Sequence, residues 1–278
     1  MPNIDRLLIR YSSLGDIVLL GAVTTAFGGG TGILTLPRYV DLARRLHGVA
    51  AVYTPDDPLP DVPIIDLHGS LRSRRATLGR SVRRLDRQDL RRRARVAFKT
   101  APPERVVDRY ARAAGIAPAP APWLPVAERG DTLLLAPGAA HATKRWPRWM
   151  ALAQAWPGPV RALGGPGDDA IVARIGGVCE HGFERTLAAM NGACALVAGD
   201  TGLLHLAAAA GLPVVGIFGP TTSQDGFWCH RGAVVERPLA CRPCSRFGGP
   251  VCPVGDHACM RDIGVPEVIA AIHGALSA

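Results

Sequence analysis

Short apolar runs alternate with amphipathic stretches along almost the whole chain. Residues 6–11 (RLLIRY) read as a compact apolar strand and 17–27 as an apolar helix, with the loop SSLGD between them. The same reading predicts strands at 33–36, 49–53, 64–67 and 95–99, and helices at 37–46, through much of 71–93, and at 106–114. A proline-alternating segment, 117–125 (APAPAPWLP), has extended character and serves as the linker. Beyond it the pattern resumes, with strands at 132–136, 160–163, 196–198 and 214–218. Helices follow these at 148–155, up to about 175, at 184–191, 203–210 and 265–276. Strands alternating with helices specify parallel sheets covered on both faces. The expected fold is therefore α/β, with two Rossmann-like doubly wound domains, 1–122 and 123–278, facing each other across a cleft.

In such sheets ligands sit beyond the carboxyl ends of the strands, so the loops there carry the candidate chemistry. Asp16 follows the first strand; it is either a helix N-cap or a carboxylate at the cleft floor, able to act as a general base. In the second half, 199–203 (GDTGL) joins a strand to a helix whose unpaired N–H groups and dipole suit a phosphate or diphosphate. Capping of that helix by Asp200 or Thr201 is the structural alternative. Lys144 lies beyond another strand end, as a point charge for a phosphate or as an ordinary surface lysine. Asp168 and Asp169 suit a helix N-terminus, and a carboxylate there could hold a ribose. Arg72 and Arg74 stand just after the strand ending near His68. Packing is the alternative role for His68, His141, His181 and His205.

Composition narrows the partners. The 278 residues are 48% hydrophobic and 20% charged, as in a globular protein with ample cores. No uncharged apolar run reaches transmembrane length, and Asp5 and Arg6 interrupt any signal-peptide pattern, so a cytoplasmic location is expected. The net charge of +9 calls for an anionic partner: nucleic acid, a phosphorylated substrate or a membrane surface. Much of it comes from arginines in 72–95, a stretch with no aromatic residue to stack on bases, so nucleic acid is not favoured. Cys241, Cys244, Cys252 and Cys259 are spaced as a CxxC pair and two single thiols. They are either a tetrahedral structural zinc site or reduced packing cysteines.

These pieces together resemble the ADP-heptose-using heptosyltransferases of lipopolysaccharide core synthesis, glycosyltransferase family 9 with the GT-B fold. The resemblance rests on 9–18 (IRYSSLGDIV), 66–72 (DLHGSLR), 136–147 (APGAAHATKRWP), 164–167, 199–221 (GDTGLLHLAAAAGLPVVGIFGPT) and the cysteine-bearing 241–263. It implies an inverting transfer of heptose onto a phosphorylated, lipid-linked acceptor with no cofactor needed for catalysis. Asp16 falls on the family's catalytic base and Lys144 on the lysine that meets the donor phosphates. Asp200, Thr201, Gly202, Leu203 and His205 fall on the donor loop and its helix, and Asp168 near the ribose carboxylate. His68, Arg72 and Arg74 fall on the acceptor side. A cytoplasmic protein in transient contact with the inner membrane is implied. The alternatives are another nucleotide-sugar donor on the same fold, a non-catalytic nucleotide-sugar or polyanion binder, and a nucleic-acid-binding protein.

Overall fold

The first apolar run forms β1 (Arg6–Ile9), in which Leu7, Leu8 and Ile9 are fully buried. In the computed structural model, which describes residues 3–165, 167–180 and 182–278, β1 is the centre of a five-stranded parallel sheet. β2 (Thr31–Leu34) and β3 (Val49–Tyr53) extend it on one side, β4 (Ile64–Asp66) and β5 (Val82–Arg84) on the other, in the order β3-β2-β1-β4-β5. A parallel strand covered on both faces must be apolar nearly throughout, which RLLI and TGIL satisfy. Four intervening helices and two that follow flank the sheet: α1 (Leu14–Leu19), α2 (Gly21–Phe27), α3 (Val40–Arg45) and α4 (Leu71–Ala76), then α5 (Asp89–Phe98) and α6 (Val106–Ala114).

The second sheet has six parallel strands: β6 (Arg129–Ala136), β7 (Val160–Gly164), β8 (Gly177–Cys179), β9 (Ala193–Gly199), β10 (Val214–Phe218) and β11 (Ala233–Glu236). Their order is β11-β10-β9-β6-β7-β8, the six-stranded doubly wound order. α7 (Trp149–Ala155), α8 (Asp169–Ile175), α9 (Phe183–Ala188) and α10 (Gly202–Ala209) connect the strands. α11 (Ala258–Arg261) and α12 (Val265–Ser277) close the chain, and Ile272 of α12 is buried in the core beneath β9 and β10. Strand order reverses between β1 and β4 in one sheet and between β6 and β9 in the other. Those two switch points position the site.

The linker carries Trp123, which is buried; its backbone N–H donates to Ala209 O at the end of α10 (2.9 Å). The extended segment is thus packed against the second sheet's helix rather than left free.

Several expectations change in detail. The predicted helix 17–27 is two helices meeting at Leu20, and it starts earlier, at Leu14. Residues 95–98, expected as strand, complete α5 instead, because the arginine-rich turns before them carry the helix through Val96. The structure adds β5, β8 and β11, whose runs of three or four residues (VRR, GVC and AVVE) give too short a period-2 signal. Pro166, within the 164–167 turn, and His181 lie outside the described residues.

Candidate active site between the two sheets

Asp16 is the third residue of α1 and not its N-cap, a place taken by Ser13. The backbone N–H and hydroxyl of Ser13 both donate to Asp16 Oδ2, at 3.1 and 2.9 Å, the return arm of a capping box. Oδ1 lies 2.6 Å from Arg10 Nη2 and accepts from the Tyr110 hydroxyl at 3.1 Å. Arg10 also donates to Ser12 O and Leu67 O, both at 2.7 Å, and so ties the loop after β1 to the loop after β4 across the switch point. Burial by itself would raise the Asp16 pKa. The Arg10 charge and the Ser13 hydrogen bonds outweigh it, and the carboxyl is held below the ordinary value, hence ionised. Burial pushes the Tyr110 phenol the other way, so it stays a neutral donor.

Across the cleft, β9 runs into Asp200 and α10. Lys144 Nζ, on the loop after β6, sits 2.6 Å from Asp200 Oδ2 and 3.1 Å from Asp200 O. Thr221 donates to the same Oδ2 at 2.8 Å. Burial opposes ionisation of Asp200, but Lys144 more than offsets it and the pKa is lowered. Thr201, the N-cap of α10, has a buried hydroxyl with no hydrogen-bond partner. That orphan donor, the free first-turn N–H groups of α10 and Lys144 give three kinds of positive contact at one point.

Two glycines bring the halves together. A Cβ on Gly15 would lie 2.9 Å from His205 Cδ2, and one on Gly202 would lie 2.7 Å from Leu14 Cδ2. The N-termini of α1 and α10 therefore approach as closely as side chains allow. Behind them His205 Nδ1 and His230 Nε2 are 2.9 Å apart. Burial lowers the pKa of both imidazoles, which are neutral at pH 7.

Asp16, Lys144, Asp200, Thr201, Gly202 and His205 line one cavity of about 150 Å³ at this junction. It adjoins a larger hollow of about 550 Å³ on the second sheet's side, which adds Asp168, Leu203 and Gly138. Asp168 accepts from Gly165 N at 3.1 Å and lies over Gly138, where a Cβ would meet its carboxylate at 2.0 Å. On the first sheet's side Asp16 also borders a hollow of about 420 Å³ whose walls include His68, Arg10, Arg87, Arg92, Arg109 and Arg246. Burial, with Arg10 adding to it, pushes the His68 pKa down to about 4. Burial next to Arg246 and Arg109 lowers Arg92 to about 10. All the donor-side residues expected from the sequence are thus brought together.

Of the residues expected on the acceptor side, His68 joins Asp16, but Arg72 and Arg74 do not line that hollow. The Arg72 guanidinium stacks on Tyr11 at 4.8 Å, and Arg74 borders a separate surface depression. Sequence reading passed over Arg10, Tyr110, Arg92, Arg109, Arg246 and Phe247. For Arg10 a signal existed, since an arginine inside an otherwise apolar strand run needs a buried carboxylate nearby.

Cys241, Cys244, Cys252 and Cys259, read from the sequence as either a structural zinc site or reduced packing cysteines, are free thiols. Among the described residues no three His, Cys, Asp or Glu side chains are arranged to hold a metal ion. Burial, partly offset by Arg242, pushes the Cys259 thiol up to about 11, and Cys244 is raised as well.

Two doubly wound parallel sheets with facing switch points define a GT-B fold. Residues 107–246, half the chain, match the glycosyltransferase family 9 (heptosyltransferase) profile, and the chain belongs to that family. A curated relative, lipooligosaccharide heptosyltransferase 2 of Campylobacter jejuni subsp. jejuni serotype O:2, is 33% identical over 99 residues, covering 34% of this chain and 30% of that protein. The match thus spans under a third of that relative's length. The solved structure of a glycosyl transferase family 9 protein from Veillonella parvula shares the fold with a TM-score of 0.73 at 15% identity, covering 99% of this chain and 98% of the other. The E. coli ADP-heptose lps heptosyltransferase II gives 0.72 at 18% identity, covering 99% of each chain.

Proposed function

We propose that the protein is an inverting heptosyltransferase that moves a heptose from ADP-heptose to a phosphorylated, lipid-linked core oligosaccharide in lipopolysaccharide synthesis. It would work from the cytoplasm at the inner-membrane surface. One observation carries the reading: a buried ionised carboxylate from one sheet and an ammonium with a helix N-terminus from the other line the same cavity. Transfer between a nucleotide sugar and an alcohol needs that pairing. The acceptor oxygen attacks the anomeric carbon from the side opposite the leaving diphosphate, its proton passes to Asp16, and the bond from that carbon to the diphosphate oxygen breaks. Charge then grows on the diphosphate, where Lys144, Thr201 and the α10 N–H groups are aimed. Asp200 orients Lys144 until the donor shares it. The arginine-walled hollow beside Asp16 suits an anionic acceptor.

The relatives' names supply the sugar and nucleotide, and the phosphate-reading loop accepts any nucleoside diphosphate. The test is incubation with ADP-heptose and lipid-linked core acceptor, with product measured by mass spectrometry against UDP- and GDP-sugars. Heptosylated acceptor from the ADP donor alone supports the reading. Turnover only with another nucleotide sugar overturns the donor while leaving the transfer chemistry.

A further inference from the structure

The segment 72–95 holds eleven arginines and two aspartates, a surplus of nine that equals the net charge of the whole chain. The remaining 21 basic residues are matched by 21 acidic ones, so the protein is neutral apart from this region. Within and beside it three large apolar side chains point into solvent: Leu71, Leu78 and Leu90 are 75%, 78% and 82% exposed. On α4 the inward side is Ser73 and, just past its end, Thr77, both buried, which leaves Leu71, Arg74 and Arg75 outward. Arg74 shares a surface depression with Leu90 and Arg91 at the start of α5, so the two helices present one surface. Among the described residues Arg74, Arg75, Arg91 and Arg93 make no ion pair; Asp89 is held by Arg87 and Arg246, and nearby Asp66 by Arg84.

We propose that this α4–α5 face docks on an anionic lipid surface. Singly exposed leucines need no explanation, but leucines set among unpaired arginines match what a charged bilayer offers: acyl chains under a layer of phosphates. A nucleic acid fits less well, because the charged stretch has no aromatic side chain to stack on bases. Location supports the same occupant. Leu85 and Arg87 line both this depression and the arginine-walled hollow beside Asp16, so a bilayer on this face lies next to the acceptor entrance. The assignment rests on the lipid-linked acceptor of the function proposed above and deepens it by naming the face that meets the lipid.

The test is flotation of the whole protein with vesicles of phosphatidylcholine alone, or of phosphatidylcholine with phosphatidylglycerol, without nucleotide or acceptor. Binding is expected only to the anionic vesicles and weakens with salt. Arg75→Glu with Arg91→Glu lowers the partition coefficient well beyond the roughly fivefold expected per lost arginine. Leu78→Asn with Leu90→Asn removes the part of binding that survives high salt, and ADP affinity is unchanged in both variants. Equal binding to neutral vesicles, no vesicle binding, or unaltered binding by these variants overturns the proposal. So does release from vesicles by single-stranded DNA, with DNA binding lost in the same variants. Failure to bind ADP alongside intact vesicle binding sinks the donor reading and leaves this face standing.

Discussion

Arg10 Nη2 and Asp16 Oδ1 lie 2.6 Å apart in the buried loop beyond β1, and Arg10 reaches the loop after β4 from the same guanidinium. Arg10 therefore sets both the ionisation and the position of the candidate base. Truncating one partner of a buried pair leaves an uncompensated charge. Arg10→Met should cost about 3–5 kcal/mol of folding stability in denaturant titration.

The same pair makes a pH prediction. Burial alone favours the neutral acid, and Arg10 reverses that, so the acid limb of kcat/KM should lie below the ordinary carboxylate value of 3.8. In Arg10→Met, if folded, the limb should move upward into the range where burial dominates. A limb unmoved by the substitution would separate Asp16 from the proton transfer. The depressed pKa also contributes stability present above the unfolded value and lost as pH falls through the folded one.

Lys144→Ala should remove the only ammonium at the head of α10 among the described residues. A drop of about 10²-fold in kcat/KM for the donor is expected, the size of losing one contact to developing charge. Steady-state kinetics check it, and Lys144→Arg should recover only part, since a planar guanidinium replaces a point charge beside Asp200.

The contact between Gly202 and Leu14 predicts a rescue. Gly202→Ala puts a methyl 2.7 Å from Leu14 Cδ2 and should cost roughly 1–3 kcal/mol by overpacking, read as a lower Tm. Leu14→Gly in the same chain should return part of that loss and restore nucleotide binding, because the Leu14 Cβ, 2.9 Å from the new methyl, leaves together with the rest of the side chain. Additive losses would show that the two helix ends do not press together.

Much of this was legible in the sequence, and the reason is local. The loops around Asp16 and 199–203 are short, sit between unmistakable strands and helices, and could be assigned to the strand ends where doubly wound sheets bind ligands. What sequence could not show is which distant side chains converge. Tyr110 reaches Asp16 across 94 positions, and Arg246 enters the first sheet's hollow from the cysteine-rich segment. Arg72 looked placed for an acceptor because it follows β4 closely, yet the turn of α4 directs it onto Tyr11.

His68, His205 and His230 add a stability signature. Their folded pKa values are depressed, that of His68 from 6.5 to about 4, so the unfolded chain binds protons first as pH falls. Stability should therefore decline from about pH 6.5 toward 4, and thermal melts across that window check it. The His205→Phe, His230→Phe double variant should show a shallower decline if it folds; His68→Gln, beside the hollow, offers an independent reading.

The most direct test of the account is calorimetric titration of ADP into the wild type, Asp16→Asn and Lys144→Ala, with transfer measured on the same samples. The geometry predicts that Asp16→Asn binds ADP nearly as the wild type does while transfer falls by about 10²–10⁴-fold, the worth of a general base. Lys144→Ala should lose affinity and turnover together. Ordinary turnover by Asp16→Asn, or ADP affinity indifferent to Lys144, would contradict the division of labour between the two sheets.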